Sequence, residues 1–490
     1  MGITENISRN FIYLMANFFV VSFLSFIFWT FIGSKNLPPQ DYGKATTMFQ
    51  IFMLLSSISN LGIYTASCKK IPELISKNQE NKIPTLLRFS FKVSFIATTI
   101  SSIILFFIFK LNLLEKISLA HIDLILIISL IFLSQVSSVN ASYWYGYQNM
   151  RKLFFANLFS FLGKVGIAAI LIYIGFGYLA LLIGFLTQTI LQLLITFTKK
   201  LFEIGSKFNT KKFFIEASIP AFISAIFQLI LTQTPFIFLS FIRSTEETGY
   251  FSLAFMITSV AFSLPTVLAS SIFPVISGLQ KIDKQEKIIN FSLRYSILFS
   301  SLALILLMLF SESFILIVAS EKYITSAKIF NILVISLSIG GILNILLSNI
   351  YAAGFYKIFR NINIIEVITY IPSIILLTYF SGFYGTALSF LLTSIVGLIG
   401  FLLFSRNVIK ISFDLKDLIK ISFACFIIYI VWVGIKILEL NFLIKVFLIA
   451  ITLPIYILVL KLTKFFTETD KAVISILLSK LKLKFLINFF

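Results

Sequence analysis

The chain has 490 residues, of which 59% are hydrophobic and 12% are charged, and its net charge is +20. With a mean hydropathy of +1.01, this composition excludes an ordinary water-soluble enzyme, in which about 25% of residues are charged. A positive net charge can indicate nucleic-acid binding, but here the Lys and Arg residues lie in short segments between apolar blocks. That placement is typical of a membrane protein.

Apolar blocks recur along the chain at the length of about 20 residues that crosses a bilayer. They predict an all-α integral membrane protein with fourteen transmembrane helices. The predicted spans are 10–33, 45–67, 89–109, 124–145, 153–175, 178–198, 213–242, 249–277, 291–318, 327–352, 362–381, 383–405, 418–438 and 442–463. The first block is too long for a cleaved signal peptide, so we expect it to stay in the membrane.

The Lys and Arg residues are distributed unequally between the two sides of the predicted spans. The N-terminus, the loops on its side and the C-terminal tail hold 29 of them, and the opposite loops hold 9. The positive-inside rule therefore predicts that both termini are cytoplasmic. Segment 199–212 carries five lysines and is predicted to be a cytoplasmic basic connector. The basic tail 466–490 is predicted to rest on anionic lipid headgroups.

Short matches recur along the chain at an almost constant offset. At offsets of 206 to 208 they pair Gly43 with Gly249, Arg88 with Arg294, Gly146 with Gly354 and Gly175 with Gly382. They predict two parallel six-helix lobes, residues 1–198 and 213–405, with two additional transmembrane helices in 406–465. Repeats of this kind place a substrate site between the lobes and permit alternating access.

Six motifs in the chain are structural signatures. They are Leu37-Pro38-Pro39-Gln40-Asp41-Tyr42-Gly43, Asn60-Leu61-Gly62-Ile63, Tyr145-Gly146-Tyr147-Gln148-Asn149, Ser218-Ile219-Pro220, Thr248-Gly249-Tyr250-Phe251-Ser252-Leu253-Ala254 and Phe273-Pro274-Val275-Ile276-Ser277. Over most of residues 10–405 the chain resembles the polysaccharide (O-antigen or lipid-linked oligosaccharide) flippases of the multidrug/oligosaccharidyl-lipid/polysaccharide exporter superfamily. Many relatives have an acidic residue in the seventh span, where this chain has Thr232-Gln233-Thr234-Pro235.

The resemblance implies a flippase that moves a lipid-pyrophosphate-linked oligosaccharide, a precursor of O-antigen or another surface polysaccharide, across the cytoplasmic (inner) membrane by alternating access of the two lobes. The implied partners are a polyprenyl-pyrophosphate-linked oligosaccharide, membrane lipids, and a glycan polymerase with its chain-length protein. No nucleic acid, metal, cofactor or enzymatic activity is expected. The sequence has no Walker A motif and no nucleophile elbow, in keeping with that expectation.

Two alternatives remain open. A cation-coupled drug or metabolite antiporter of the same superfamily would be expected to carry a carboxylate deep in the first or seventh span. Neither predicted span has a carboxylate deep inside. A membrane glycan polymerase or ligase would usually carry its catalytic residues in a large outer loop, whereas the predicted outer loops are short.

Lys164 is the strongest functional signal because it lies near the middle of the fifth predicted span. A Lys at the bilayer centre costs about 2.5–3.5 kcal/mol on insertion scales. Either the ammonium group binds carbonyl groups of neighbouring helices, or it is a cavity cation that contacts the phosphate of the substrate. We predict the cavity cation.

Three more cations are candidates near the cytoplasmic ends of spans three and nine. Arg88, Lys92 and Arg294 would bind a pyrophosphate at the mouth of a cavity, since Arg binds phosphate oxygens in bidentate fashion. The alternative is that they are ordinary positive-inside anchors.

Polar side chains within the predicted spans form a further set that would line a cavity or join helices. They are Gln228, Thr232, Gln233, Asn17, Gln135, Asn140, Asn344 and Asn349. Glu366, about six residues into span eleven, would bind a coupling ion or pair with Arg360 at the interface, and the pair is the interpretation that we favour.

Overall fold

The computed structural model describes residues 3–112, 115–262, 272, 276, 279, 281–406, 408–409, 415–437 and 442–467. All regular elements within these ranges are helices, which confirms the predicted fold class. The α-helices are α1 Ile3–Ile27, α2 Pro39–Asn60, α3 Ile63–Ser76, α4 Ile83–Lys110, α5 His121–Gly146, α6 Met150–Ile174, α7 Leu179–Thr196, α8 Thr210–Phe213, α9 Ile219–Ile242, α10 Thr245–Ala261, α11 Ile282–Leu309, α12 Ser311–Val318, α13 Ala327–Ala352, α14 Tyr356–Ser405, α15 Leu415–Ile437 and α16 Phe442–Leu462.

The described helices include nine that are long and apolar enough to cross a bilayer. The pair α2 and α3, bent by 46°, forms a tenth if it is counted as one span. The protein is therefore a multi-pass membrane protein, and the predicted number of fourteen spans is not confirmed. The motif Phe273–Ser277, apart from Ile276, and the tail beyond Thr467 lie outside the described residues.

The two faces of α4 differ in the way expected of a helix in a lipid bilayer. Ile96, Ile100 and Phe107 are 60%, 54% and 55% exposed, whereas Ser94 and Thr98 are fully buried. A soluble protein would cover such an apolar face. Small and hydroxyl-bearing residues between helices, with large apolar residues outside, are the arrangement that lipid favours.

Proline and left-handed residues set the limits of α2. Pro39 occupies the first turn, where its missing N–H costs nothing. At the other end Leu61 and Gly62 have φ of 48° and 72°, which ends the helix before α3 begins at Ile63. The sequence predicted one span over 45–67, so the break within the motif Asn60–Ile63 is a correction.

The break in α14 lies at Gly382, whose φ of 57° and ψ of −135° are not helical. The hydroxyl groups of Thr378 and Thr386 are 2.9 Å apart. Residues eight positions apart in a straight helix are separated by about 12 Å, so the chain reverses direction here. The two parts of α14 correspond to the two spans that the sequence predicted on either side of Gly382.

Arg243 and Glu247 bind the two helix ends that meet at this break. Arg243 donates from Nε and Nη2 to the carbonyl oxygens of Thr378 and Phe380, at 3.2 and 3.0 Å. Glu247 Oε2 accepts from the backbone N–H of Phe383 at 2.9 Å. A cation at a helix C-terminus and an anion at an N-terminus each contribute about 0.3–1 kcal/mol.

Contacts divide the chain into two compact units. The first unit contains the described parts of Met1–Ile257, Val318–Ile329 and Val367–Ser389. The second contains the described parts of Thr258–Ile317, Phe330–Glu366 and Phe390–Phe490. The division into lobes at 1–198 and 213–405 stays a prediction.

A reciprocal contact in the first unit joins α2 to α10. A Cβ atom on Gly43 would overlap the carbonyl oxygen of Thr245, and a Cβ atom on Gly249 would overlap that of Pro39. The Thr46 and Ser252 hydroxyl groups, 206 residues apart, lie 3.1 Å from each other. The same offset relates Pro39 to Thr245 and Gly43 to Gly249. The contact therefore has the local two-fold relationship that the sequence repeat implies.

The basic connector lies along the start of α4. Ser206 donates its N–H to the carbonyl oxygen of Asn81 and accepts a hydrogen bond from the Thr85 hydroxyl group, both at 2.9 Å. Lys200 donates to Glu203 at 2.7 Å, and this hydrogen bond raises the pKa of the exposed Lys200 ammonium group. The connector is thus held to the first unit by its backbone.

Candidate functional site

A cavity of about 690 Å³ lies within the first unit, where residues of α1, α2, α3, α5, α6, α7 and the start of α9 surround it. This volume lies in the range of small-molecule sites, about 300–1,000 Å³. The polar lining residues are Ser25, Ser56, Ser57, Asn60, Tyr64, Thr65, Ser134, Gln135, Ser137, Ser138, Lys164, Gln188, Thr189 and Gln192. Among the described lining residues, Lys164 is the one Lys or Arg, and none is Asp or Glu.

A saturated hydrogen-bond network joins α2 to α5 on one side of this cavity. Gln135 donates from Nε2 to the carbonyl oxygen of Ser56 at 2.8 Å and to its hydroxyl oxygen at 3.0 Å. Asn60 Nδ2 donates to Gln135 Oε1 at 3.2 Å and to the Ser138 hydroxyl oxygen at 3.3 Å. Asn60 Oδ1 accepts the backbone N–H of Tyr64. These amides are fixed in place, and they hold the break after α2 against α5.

Gln188 and Gln192 line the cavity from α7. Four residues apart, they lie on the same helix face. Gln192 Nε2 donates to Asn157 Oδ1 at 3.1 Å, and Asn157 Nδ2 donates to Asn17 Oδ1 at 2.8 Å. The Gln188 Oε1 atom is buried without a hydrogen-bond partner in the described part of the chain. The Ser137 hydroxyl oxygen, also in the lining, is buried and unpartnered in the same way.

Aromatic side chains form another part of the wall. The Phe49 and Phe185 rings are stacked, with centroids 4.2 Å apart. The Trp29 ring lies against both, with centroids 5.5 and 5.6 Å away. Trp29 belongs to a π-helical segment, Phe28–Ser34, that directly continues α1. The cavity therefore presents amides and hydroxyl groups together with broad aromatic faces.

Lys164 enters this cavity from α6 and is 1% exposed. Its Nζ atom lies 3.8 Å from the ring centroid of Phe161 and 4.6 Å from those of Phe28 and Phe185. No hydrogen bond or ion pair to Nζ is found among the described residues, so the alternative of carbonyl partners is wrong. Desolvated cation–π contacts contribute about 2 kcal/mol or more, which offsets part of the cost of burying the ammonium group.

The other predicted cations lie elsewhere. Arg88 does not line the cavity, and its buried Nε and Nη2 atoms have no hydrogen-bond partner among the residues described. Lys92 is exposed on α4, four residues before the outward-facing Ile96. Arg294 donates from Nε to Asp417 at 2.6 Å and from Nη2 to the carbonyl oxygen of Phe465. Arg294 thus ties α11 to the last helices of the second unit.

The predicted polar residues also separate into two groups. Gln135 lines the cavity, and Asn17 reaches it through Asn157 and Gln192. Asn140 donates to the carbonyl oxygen of Val136 and accepts the Thr198 N–H, and Asn349 donates to Ser292 in the second unit. Asn344 is exposed, and Thr232 and Gln233 of α9 are outside the lining. The Gln228 side chain lies outside the described residues.

Glu366 packs within the second unit, against the second part of α14. A Cβ atom on Gly397 would lie 3.1 Å from Glu366 Cγ and 3.2 Å from its Oε1. Arg360 instead donates to Asn361 Oδ1 at 3.3 Å, and no ion pair of Glu366 occurs within the described ranges. The predicted pair with Arg360 is therefore wrong.

Comparison with known proteins places this geometry in context. A family model described as "Polysaccharide biosynthesis protein" matches residues 7–280, more than half of the chain, and confirms the resemblance that the motifs indicated. No curated protein sequence matches the chain.

Solved structures share the fold. The structure of "Lipid II flippase MurJ, inward closed conformation" has a TM-score of 0.69 and 20% identity, and the match covers 96% of this chain and 99% of that one. An inward-facing multidrug resistance MATE family transporter of the MOP superfamily has a TM-score of 0.64 and 14% identity, and the match covers 79% of this chain and 93% of that one. The bent form of the Vibrio cholerae MATE transporter VcmN has a TM-score of 0.50 and 16% identity, and the match covers 82% of this chain and 97% of that one.

Proposed function

Because the chain belongs to the polysaccharide biosynthesis protein family, we propose that it is a flippase that carries a lipid-linked oligosaccharide across a membrane. The observation that carries this proposal is the polar cavity of the first unit, in which Lys164 is the one Lys or Arg among the lining residues that the structure describes. The flippase fold found for the MurJ structure supports it. The name of that protein gives its substrate as lipid II, which is also a lipid-linked saccharide.

The finer proposal concerns substrate and direction. The substrate is a polyprenyl-pyrophosphate-linked oligosaccharide, a precursor of O-antigen or another surface polysaccharide, and transfer runs outward across the inner membrane with both termini cytoplasmic. A pyrophosphate that leaves a negatively charged cytoplasm gains about 2.3 kcal/mol per elementary charge at 100 mV. The membrane potential therefore assists this direction.

Lys164 is the proposed contact for the phosphate of the substrate. Its ammonium group is held by ring faces rather than by a carboxylate. An incoming phosphate therefore does not have to displace an internal anion. In a dry site a charge-assisted hydrogen bond contributes about 1.5–3 kcal/mol.

The experiment measures flipping in proteoliposomes. A short-chain polyprenyl-pyrophosphate oligosaccharide with a fluorescent label is placed in the inner leaflet, and its appearance outside is followed with an added lectin. We expect Lys164→Ala to slow flipping at least tenfold, because it removes one charge-assisted contact. We expect Lys164→Arg to fall between Lys164→Ala and the wild type, since Arg keeps the charge but not the shape.

Lys92→Ala is the matched control, since it removes a Lys from a span without touching the cavity. It should flip at the wild-type rate. Thermal unfolding of each purified variant separates loss of function from loss of fold. Wild-type rates for both Lys164 variants would remove Lys164 from the mechanism.

A second candidate is a cation-coupled drug or metabolite antiporter, which the MATE structures keep open because they share the fold. Glu366 favours it, because its carboxylate has no ion-pair partner among the described residues. The cavity argues against it, because a cationic drug would find Lys164 and no carboxylate in the lining. The lipid-linked oligosaccharide remains the better proposal.

A further inference from the structure

We propose that the Gln188–Gln192 side of the cavity is a binding site for an uncharged sugar unit. This deepens the flippase proposal and rests on it only for the statement that the sugar arrives attached to a lipid. The site combines unsatisfied polar atoms, an oriented amide pair and an aromatic wall.

The amide pair is positioned to bind adjacent hydroxyl groups. On one face of α7, side chains four residues apart have Cβ atoms about 5–6 Å from each other. Asn157 occupies one N–H of Gln192, and Asn17 in turn orients Asn157. Gln192 therefore lines the cavity in a fixed orientation, and no second hydrogen bond of its Nε2 group occurs within the described ranges.

Two buried polar atoms without partners point to a missing ligand. Among the residues that the structure describes, no hydrogen-bond partner is found for the acceptor Gln188 Oε1 or for the hydroxyl group of Ser137, which is only 4% exposed. Asn60 and Gln135 cannot supply the bonds, because both already use their N–H groups within the α2–α5 network. Leaving a buried polar atom unpaired costs about 1–3 kcal/mol. Ligand hydroxyl groups would remove that cost.

The aromatic wall suits the other face of a sugar. A pyranose ring carries hydroxyl groups at its edge and C–H groups on its faces. Trp29, Phe49 and Phe185 offer flat apolar surfaces in the same cavity as the amides. Close packing of ring C–H groups on these faces gains dispersion energy while the edge hydroxyl groups bind the amides.

The charges of the lining decide between a neutral and an acidic sugar. A buried carboxylate needs a cationic partner, or its burial costs several kcal/mol. The one Lys of the lining, Lys164, is enclosed by three phenyl rings and is assigned to the phosphate. The described part of the lining holds no second cation near the amides, so a uronic acid at this position would be unpaired.

The test uses Trp29 as a reporter of occupancy. Of the three Trp residues, Trp144 and Trp432 are replaced by Phe, and the protein is placed in lipid nanodiscs. Maltotriose and chitotriose are the neutral probes, and trigalacturonate is the acidic one. We expect the neutral probes to change Trp29 fluorescence saturably. Gln188→Ala and Gln192→Ala should each weaken that binding about three- to tenfold.

Gln50→Ala is the matched control, because it removes an amide from α2 outside the lining. It should bind the neutral probes like the parent protein. The inference is overturned if neither neutral probe binds, if both Gln variants bind like the parent, or if trigalacturonate binds more tightly. Because no lipid-linked substrate is used, sugar binding without flipping would contradict the flippase proposal alone, and flipping without sugar binding would contradict this site alone.

Discussion

Among single residues, Lys164 is the clearest case of a function signal that sequence alone provides. Its depth follows from counting residues along a span, because a helix rises 1.5 Å per residue. The three phenyl rings that enclose Nζ come from Phe161 on its own helix, Phe28 and Phe185. Phe28 and Phe185 are distant from Lys164 in sequence, so the enclosure of Nζ by these rings was not predictable from the span pattern.

The amide side chains also show that sequence alone does not identify which polar residues line the cavity. Gln188 and Gln192 were not predicted as site residues, whereas Asn140 was, although it caps local backbone groups. Sequence gives the depth of a polar residue but not the face on which it lies. The one available signal was the spacing of four between two Gln residues in an apolar block.

Glu366 carries a prediction at this scale. Its carboxylate has no ion pair within the described residues, and it lies on Gly397. We expect an imposed proton or sodium gradient to accelerate wild-type flipping and Glu366→Gln to abolish that acceleration, because a neutral amide neither takes up a proton at physiological pH nor supplies the negative charge that attracts a sodium ion. The same lectin assay measures both rates. Glu216→Gln, an exposed carboxylate on the first unit, should respond like the wild type, and an equal response from Glu366→Gln would exclude coupling at this residue.

Among the elements, helix limits were predictable wherever backbone chemistry dictates them. Gly382 reverses the chain in α14 at a predicted boundary, whereas α2 begins at Pro39, six residues before the predicted span 45–67. The break at Leu61 was missed because a non-glycine residue with φ of 48° gives no composition signal.

The contact between α2 and α10 makes a stability prediction. A methyl group on Gly43 would overlap the Thr245 carbonyl oxygen and lie 2.6 Å from the Gly249 N atom, both backbone atoms that cannot rotate away. Overpacking of this kind costs about 1–3 kcal/mol. We expect Gly43→Ala to unfold at a clearly lower temperature in detergent than the wild type.

Gly166→Ala provides the control, because no atom outside its own helix lies within 4 Å of the added Cβ. Ala is the better helix former, so the unfolding temperature of this variant should not fall. Equal unfolding temperatures for Gly43→Ala and the wild type would show that the two helices do not approach this closely.

For the whole molecule, composition and periodicity determine most of the architecture. They predicted an all-helical multi-pass protein, and the family match and the shared fold confirm that reading. They did not reveal the cavity, because its wall combines residues from seven helices that are separated by up to 200 positions. Composition and periodicity also could not show which of the four candidate cations lines a cavity. Such a choice depends on tertiary contacts, for example the ion pair of Arg294 with Asp417.

The central claim is that the headgroup of a lipid-linked oligosaccharide occupies this cavity, and photo-crosslinking tests it most directly. Benzoylphenylalanine replaces Phe49, in the cavity wall, or Phe95, which is 48% exposed on α4. Membranes that contain each variant are irradiated with a radiolabelled polyprenyl-pyrophosphate oligosaccharide. We predict that the saccharide part crosslinks at position 49 and not at position 95. Crosslinking at position 95 with none at position 49 would contradict the account.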